Sequence, residues 1–91
     1  MVQTKRVGSH FENRVKQYYI QDGFFVSRTA GSRFPDLIAI KPGMILFIEC
    51  KVRKEYFRKS ERMELLKLAK EYRITPVLAY REKNKVKIEL V

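Results

Sequence analysis

Three residues near the middle of the sequence have side chains suited to phosphate chemistry. Asp36 follows Pro35, while Glu49 and Lys51 are separated only by Cys50. Paired carboxylates hold Mg²⁺ while the ion keeps part of its water shell. A bound metal can lower the pKa of a water molecule and neutralise charge developing on a phosphate. A nearby lysine can orient or deprotonate the attacking water, or offset phosphate charge. The combination indicates metal-assisted phosphodiester hydrolysis.

A β-hairpin is expected to bring these groups together. Pro42-Gly43 is a strong tight-turn signal between two apolar runs, residues 36–40 and 44–52. Folding the chain about this turn places Asp36 and Glu49 roughly opposite each other. The long apolar runs further predict strands that are buried on both faces, in the centre of a sheet.

The alternation of a strand decides which way the residues of the triplet point. Residues two apart lie on one face, so Glu49 and Lys51 project together. Cys50 points the other way, and we expect it to be buried packing rather than a reactive group. Two carboxylates and one ammonium should therefore converge at the mouth of an otherwise apolar sheet.

The remaining elements follow from hydrophobic periodicity. Helical spacing recurs over residues 9–21 and 58–73, and short apolar or alternating runs at 24–28, 75–80 and 85–91 predict strands. The order α-β-β-β-α-β-β predicts a single α/β domain over residues 1–91, with a central mixed five-stranded sheet flanked by helices. The predicted apolar helix faces are Phe11, Val15, Tyr18 and Tyr19, and Leu65, Leu66, Leu68, Ala69 and Tyr72.

The composition restricts the class of protein. The 91 residues carry 20 Lys+Arg against 10 Asp+Glu, a formal charge of +10 that favours a polyanionic partner such as nucleic acid. The charge is +4 over residues 1–33, +5 over 58–91 and only +1 over 34–57, where the candidate site lies. One cysteine excludes an intramolecular disulfide and a cysteine-rich zinc site.

The apolar runs also bear on location. The longest one, 44–48, is far shorter than the roughly 20 residues of a membrane span. The first basic residues are not followed by the apolar stretch of a signal peptide. We therefore expect no membrane partner and a cytoplasmic protein, in the host cell cytoplasm if the source is a virus.

The order Pro-Asp, hairpin, Glu-x-Lys resembles the PD-(D/E)xK nuclease superfamily. The segments Gly8-Ser9-His10-Phe11-Glu12, Arg28-Thr29-Ala30-Gly31-Ser32 and Ile48-Glu49-Cys50-Lys51-Val52 are similar to those of the archaeal-type Holliday junction resolvases. The resemblance covers nearly the whole chain, from about residue 7 to residue 91. It implies a restriction-endonuclease-like domain and a homodimer. Such a dimer uses Mg²⁺ or Mn²⁺ to cut two opposed strands of a four-way DNA junction symmetrically.

The resemblance also implies residue roles. The metal would be held by Glu12, Asp36 and Glu49, and Lys51 would assist the attacking water. Ser32 is similar to a serine that approaches the scissile phosphate in some members. The implied catalytic set is therefore Glu12, Ser32, Asp36, Glu49 and Lys51.

Several of these residues have structural alternatives. Ser9-x-x-Glu12 is also the pattern of a helix capping box. Asp36 and Ser32 could be turn residues that satisfy local backbone N–H groups. Lys51 could be an exposed lysine at the end of a strand.

A run of basic residues, which we call the basic strip, begins at the triplet and continues into the second helix. It indicates either a phosphate-contacting surface or a solvated loop and helix start. Its members are Lys51, Arg53, Lys54, Arg58, Lys59 and Arg62. Within this strip, Tyr56 and Phe57 could stack on an unpaired base, wedge at a junction centre or form dimer contacts. Arg28 resembles an arginine that contacts the DNA backbone. The predicted DNA-binding residues are Arg28, Arg33, Arg53, Lys54, Arg58, Lys59 and Arg62.

The sequence thus favours a metal-dependent, structure-selective endonuclease that resolves four-way junctions by paired symmetric nicks. One alternative is another PD-(D/E)xK nuclease that acts on linear or flap DNA. The other is a non-catalytic nucleic-acid-binding module, which would need neither the metal nor the clustered acids.

Overall fold

The computed structural model describes the backbone of residues 2–29 and 34–91 and the side chains of residues 10–29 and 34–91. The predicted site residues Ser32 and Arg33 lie outside the described residues. The elements follow the predicted order, with a short 3₁₀ turn before the second helix. They are α1 (Val2–Gln21), β1 (Phe25–Arg28), β2 (Leu37–Lys41), β3 (Met44–Lys51), the 3₁₀ turn (Lys54–Tyr56), α2 (Lys59–Tyr72), β4 (Thr75–Glu82) and β5 (Lys85–Leu90).

The five strands form one mixed sheet in the order β1-β2-β3-β4-β5. Strands β1, β2 and β3 are antiparallel neighbours, β3 pairs in parallel with β4, and β5 returns antiparallel to β4. The parallel pair requires a crossover, which α2 supplies. The predicted fold class is therefore confirmed, with the hairpin that carries the candidate site at the centre of the sheet.

Helix α1 begins earlier than its apolar period predicts. It starts at Val2, so Ser9 lies inside the helix and cannot be its N-cap. The capping-box interpretation of Glu12 is therefore wrong, because a cap needs a residue with non-helical backbone angles.

Helix α1 ends at Gln21, as the helical spacing over residues 9–21 predicts, and Gly23 follows its last turn. The N–H groups of Gly23 and Phe24 donate to the carbonyls of Ile20 and Tyr19, at 3.0 Å each. Gly23 has a φ of +91°, the left-handed conformation that glycine adopts without penalty. The Tyr19 and Phe24 rings meet edge to face at 5.3 Å. These are the hydrogen bonds and the apolar contact of a Schellman motif.

The main core lies between α1 and the sheet. Phe11, Val15 and Tyr19, spaced at i, i+4 and i+8, are buried, whereas the predicted Tyr18 is half exposed because it lies off this stripe. Arg14 ties α1 to the far hairpin, since its guanidinium donates to the Asn84 carbonyl at 2.9 Å. The buried strand residues facing this core are Val26, Leu37, Ala39, Leu46, Ile48, Val77 and Ala79.

A smaller core lies on the opposite face of the sheet, where α2 packs against β4. Its buried members are Phe57, Leu65, Leu78 and Tyr80. Leu66 and Tyr72 of α2, predicted to be in its apolar face, are exposed, as are Ile40 and Ile45 of the hairpin. The prediction that the hairpin is buried on both faces is thus wrong, because α2 is too short to cover more than part of the sheet.

The helices bear on whether the chain could span a membrane. None of those within residues 2–29 and 34–91 is both long and apolar enough to cross a bilayer.

We expect Ile48→Ala to lower the free energy of unfolding by about 2–5 kcal/mol, because Ile48 is fully buried on the central strand and truncation leaves a cavity. Urea denaturation monitored by circular dichroism measures the change. Leu90→Ala is the matched control, since Leu90 is 75% exposed on β5. Equal losses in the two variants would contradict the position assigned to the core.

Candidate active site

Asp36, directly before β2, accepts hydrogen bonds from the ends of the two flanking strands, β1 and β3. Its carbonyl accepts a hydrogen bond from the Thr29 N–H at 3.2 Å. Its carboxylate Oδ2 accepts the backbone N–H of Cys50 at 2.9 Å. The register pairs Leu37 with Ile48, so the next position in line places Asp36 opposite Glu49. The hairpin register predicted from the Pro42-Gly43 turn is confirmed.

The carboxyl group of Glu49 is buried, with only 5% of the residue exposed. Burial raises the pKa of Glu49 to about 8, and the nearby negative charge of Asp36 adds to the rise. When ionised, Glu49 leaves Oε1 without a hydrogen-bond partner among the described residues. The site thus buries a carboxylate oxygen for which those residues provide no donor.

The two carboxyl groups share their protonation. Burial raises the pKa of Asp36, and the Cys50 N–H and a hydrogen bond from Glu49 partly offset that rise. A proton on Glu49 can therefore be donated to Asp36, as in other close carboxyl pairs. Replacement of that proton by a cation would satisfy the same oxygens.

Lys51 lies beside Glu49, on the same face of β3, as the alternation predicts. Its Nζ is 3.5 Å from Glu49 Oε2 but only 2.7 Å from Glu61 Oε2. Partial burial lowers the pKa of Lys51, but the hydrogen bond to Glu61 and the charges of both carboxylates raise it above the ordinary value. Lys51 is therefore an ammonium ion at neutral pH.

Glu61 is the site residue that sequence reasoning missed. The available signal was an acid in the first turn of a helix within a basic strip, which by itself suggests only local charge balance. Glu61 Oε1 accepts the Arg58 backbone N–H at 2.9 Å, and its Oε2 accepts from Lys51. Partial burial raises the pKa of Glu61, but the Lys51 hydrogen bond outweighs it, and the pKa is lowered.

Glu12 approaches the site from α1, on the other face of the sheet. Its Oε1 forms an ion pair with the Arg28 guanidinium at 3.0 Å. Partial burial and the Asp36 charge raise the pKa of Glu12, and Arg28 opposes the rise. Glu12 and Asp36 are thus close enough to interact. No three Asp, Glu, His or Cys side chains within the described part of the chain form a preassembled metal cluster.

Cys50 faces the core under α1, as the strand alternation predicts. Burial raises the pKa of its thiol well above the ordinary value, and the surrounding charges of Asp36, Glu12 and Glu49 raise it further. The thiol is therefore protonated at neutral pH. What Cys50 provides to the site is its backbone N–H, which orients Asp36.

The donors of this site fit a hard divalent cation. Asp36 and Glu49 offer carboxylate oxygens, one of them buried without a partner. Mg²⁺ is commonly bound by only one or two carboxylates, because it keeps several of its water ligands. Two protein carboxylates at the opening of the sheet are therefore a chemically sufficient set, with Glu12 near enough to Asp36 for their charges to interact.

The predicted DNA-binding residues differ in their contacts. Lys54 forms an ion pair with Glu89 at 2.7 Å, and Glu89 also accepts the Tyr80 hydroxyl at 2.9 Å. The guanidinium of Arg62 lies 5.1 Å from the centre of the Phe57 ring. Arg53, Arg58 and Lys59 are exposed, and Arg28 is half exposed beside Glu12.

The two aromatic residues in the basic strip also differ. Phe57 is 9% exposed and belongs to the core under α2, so of the alternatives left open for it, stacking on a base does not fit its position. Its ring shares that core with Leu65, Leu78 and Tyr80. Tyr56 is 56% exposed and remains available for contacts outside the chain.

The raised pKa of Glu49 predicts a pH-dependent effect of removing its charge. The unfolded chain releases the Glu49 proton near its ordinary pKa of 4.5, and the folded chain releases it near 8. The stability that Glu49 contributes is therefore full below pH 4.5 and is lost as pH rises to 8. In the absence of metal, we expect Glu49→Gln to be more stable than wild type by about 1–3 kcal/mol at pH 8.

The advantage of Glu49→Gln should shrink toward pH 5, where the wild-type group is neutral in the folded state. Denaturant unfolding of both proteins in EDTA, at steps from pH 5 to pH 8.5, measures the difference. Glu64→Gln on α2 is the control, because Glu64 is exposed. A constant difference across this range would contradict the buried titration.

The chain is similar to known proteins in both sequence and fold. A family model described as archaeal Holliday junction resolvase (Hjc) matches residues 3–91. A curated relative, the crossover junction endodeoxyribonuclease Hjc of Methanocaldococcus jannaschii, is 38% identical over 77 residues. That match covers 81% of this chain but only 58% of the relative, so this chain spans little more than half of the relative's length.

A solved structure has the same fold. The chain aligns with Archaeoglobus fulgidus Hjc, a Holliday junction resolvase from an archaeal hyperthermophile, with a TM-score of 0.78 and 25% sequence identity. The alignment covers 91% of this chain and 71% of that one. Together with the family match across almost every residue, it establishes that the chain belongs to the archaeal Holliday junction resolvase (Hjc) family.

Proposed function

We propose that residues 1–91 form a nuclease domain that hydrolyses phosphodiester bonds at four-way DNA junctions, inside the cell. The observation that carries the proposal is the pair Asp36 and Glu49, set opposite each other with Lys51 alongside. A binding module has no use for a buried carboxylate whose ionisation destabilises the fold. A nuclease needs one, because the cation it binds stabilises the charge of the reacting phosphate.

The cofactor is a divalent metal, which a nuclease family of this kind implies, and we assign it as Mg²⁺, with Mn²⁺ as a substitute. Asp36 and Glu49 would hold it, and Glu12 would complete its surroundings through water. When bound, the metal supplies an acidified water molecule and neutralises phosphate charge. The backbone N–H of Cys50 fixes one Asp36 oxygen at 2.9 Å, so this carboxylate is oriented before any ligand arrives.

Lys51 acts in this proposal as a cation. Its pKa is raised rather than lowered, so it does not deprotonate water at neutral pH. An ammonium held beside Glu49 can donate hydrogen bonds to the attacking water or to a phosphate oxygen. Of the three roles that the sequence left open for Lys51, orienting the attacking water and offsetting phosphate charge therefore fit its surroundings.

The DNA backbone would be bound by basic residues around the site. Arg53 and Lys59 flank the 3₁₀ turn, are exposed, and have no ion-pair partner within the described segments. Such cations release counterions from DNA when they neutralise phosphates, which makes the affinity dependent on salt. Lys54 is instead held by Glu89, so we assign it a supporting role in anchoring the turn.

Cleavage of a synthetic four-way junction tests this function. In Mg²⁺, the wild-type protein should cut the junction faster than the separate linear duplex arms. Asp36→Asn should reduce cleavage by about 10³-fold or more while it preserves junction binding, because an amide removes the charge that holds the cation. Gel electrophoresis of labelled strands measures cutting, and mobility shift in EDTA measures binding.

Asp22→Asn is the matched control for that experiment, since Asp22 is exposed at the end of α1, away from the site. Wild-type cutting by Asp36→Asn would overturn the metal-site assignment. Equal rates on junction and linear arms would favour a nuclease of another specificity. Tight, salt-dependent binding with no cleavage and no effect of EDTA would favour a binding module.

The proposed activity includes a homodimer, and the fold offers a surface for it. We call this surface the open sheet face. It is the side of β1, β2 and the start of β3 that faces away from α1, and at its edge Phe47 packs against the smaller core and lies near Tyr72 of α2. Cross-strand neighbours form two apolar rows on it, and Phe25, in the outer row, is 72% exposed. The residues of the open sheet face are Phe25, Ile38, Ile40, Ile45 and Phe47.

Several features of the open sheet face suit a second copy of the chain. Its five side chains are uncharged, with Glu49 and Lys51 farther along β3, so two copies with a formal charge of +10 each meet less repulsion there than at the basic surfaces. It continues into a groove of about 600 Å³ between the hairpin tip and Arg73. Contiguous exposed apolar surface of this kind marks interaction sites. Two copies joined there would keep their active sites at a fixed separation, as paired nicks require.

Phe25→Lys combined with Ile40→Lys should weaken the dimer by roughly 30-fold or more, because two cations enter its apolar centre. Sedimentation equilibrium measures the dissociation constant, and a supercoiled plasmid with an extruded cruciform shows whether the two nicks remain coupled, since coupled nicks give linear product and a single nick gives relaxed circles. Leu90→Lys, on the opposite side of the sheet, is the control. A wild-type protein that is monomeric, or a double variant that dimerises normally, would rule out this interface.

A further inference from the structure

We propose that Glu61 is a positioning residue for Lys51, an inference that rests on the proposed role of Lys51 in cleavage. The shortest contact of the Lys51 ammonium is with Glu61 Oε2 at 2.7 Å, and its distance to Glu49 Oε2 is 3.5 Å. Lys51 is on β3 and Glu61 is on α2, so the contact joins the site strand to the crossover helix. Glu61 is thereby the nearest partner of the cation that acts on the substrate.

Glu61 is itself held rigidly. It lies in the first turn of α2, where its Oε1 accepts the Arg58 backbone N–H at 2.9 Å. A negative charge is stabilised at that end of a helix by the exposed N–H groups. Because one carboxylate oxygen is fixed to the helix, the other presents a single defined acceptor to Lys51. An acceptor that is oriented in advance lowers the cost of ordering a flexible lysine side chain.

Competition between two carboxylates explains why this position matters. Lys51 has an ammonium within reach of both Glu61 and the buried Glu49. Without Glu61, the strongest remaining attraction draws the ammonium onto Glu49, where it would occupy the oxygens needed by the metal. Glu61 holds Lys51 beside Glu49 at 3.5 Å, a longer contact than the 2.7 Å one that it makes itself. The raised pKa of Lys51 and the lowered pKa of Glu61 are consistent with this ion pair.

A purely structural role for Glu61, as the cap of α2, is the competing explanation. Glu61→Gln separates the two roles, because a glutamine carbonyl still accepts the Arg58 N–H but the charge facing Lys51 is gone. Glu64→Gln is the matched control, one turn along the same helix and exposed. Circular dichroism and thermal unfolding confirm that both variants remain folded.

The first measurement is single-turnover cleavage of a four-way junction in Mg²⁺ at saturating protein. We expect Glu61→Gln to slow cleavage by roughly 10- to 100-fold, the range that loss of one charge-assisted hydrogen bond produces. Junction binding in EDTA should change by less than about twofold, a split between rate and affinity that a helix cap would not produce. Glu64→Gln should cleave at the wild-type rate.

The second measurement is a double-mutant cycle with Lys51→Ala. If Glu61 acts through Lys51, adding Glu61→Gln to Lys51→Ala should cause no further loss of rate. A third readout needs no cleavage. The Lys51 ammonium should give a slowly exchanging ¹H–¹⁵N signal in the wild type at low temperature, and Glu61→Gln should remove it.

The outcomes are separable. Wild-type cleavage by Glu61→Gln, or multiplicative losses in the cycle, would overturn the positioning role. If the wild-type protein does not cut junctions at all, the proposed function fails, and the ammonium signal then decides the positioning role alone. An unchanged Lys51 signal in Glu61→Gln would overturn it in that case too.

Discussion

A carboxylate buried in the middle of a sheet needs a counter-ion, and in this chain that carboxylate belongs to Glu49. Its oxygens can be neutralised by a proton, by Lys51 or by a metal. A different observation corresponds to each of these three options. The proton is reflected in a pKa near 8, the ammonium lies 3.5 Å away, and Asp36 supplies a second carboxylate for a cation. Only the third option uses the Asp36 and Glu49 carboxylates together, and it is the one that the proposed function requires.

The arrangement depends on how the sheet is covered. Helix α1 covers the part of one face that includes Cys50, although Leu90 on β5 stays exposed on that side. Because Cys50 packs in the core, its backbone N–H is held in place when it orients Asp36. On the other face, helix α2 packs mainly against β4 and reaches Phe47 of β3. That partial cover leaves room beside β3 for Glu49 and Lys51, and it brings the first turn of α2, with Glu61, to their side. The same uncovered region supplies the open sheet face. A longer second helix would close both the site and the proposed dimer surface.

Much of this could be predicted from the sequence because it depends on local rules. Pro42-Gly43 fixes a two-residue turn, and the pairing of Lys41 with Met44 then sets every later pair of the hairpin, including the position of Asp36 opposite Glu49. The alternation of a strand separates Cys50 from Glu49 and Lys51. The spacing of Phe11, Val15 and Tyr19 identifies the buried stripe of α1. Each inference needs only neighbours in sequence and one repeat length.

The errors arose where a residue's partner is distant in sequence and its distance depends on how helices lie on the sheet. Ser9 and Glu12 have the spacing of a cap, but the helix continues past them, and Glu12 meets Arg28 instead. In the basic strip, too, the sequence does not show which cations are already paired within the chain. Lys54 is paired with Glu89 and Lys51 with Glu61. Counting cations along the chain measures the long-range field that attracts DNA. It does not identify which cations can bind a phosphate, since a lysine already paired at 2.7 Å must exchange one anion for another. Such exchange offers less gain in free energy than contact by an unpaired cation, so the salt dependence of binding should reflect the exposed, unpaired residues rather than the total charge.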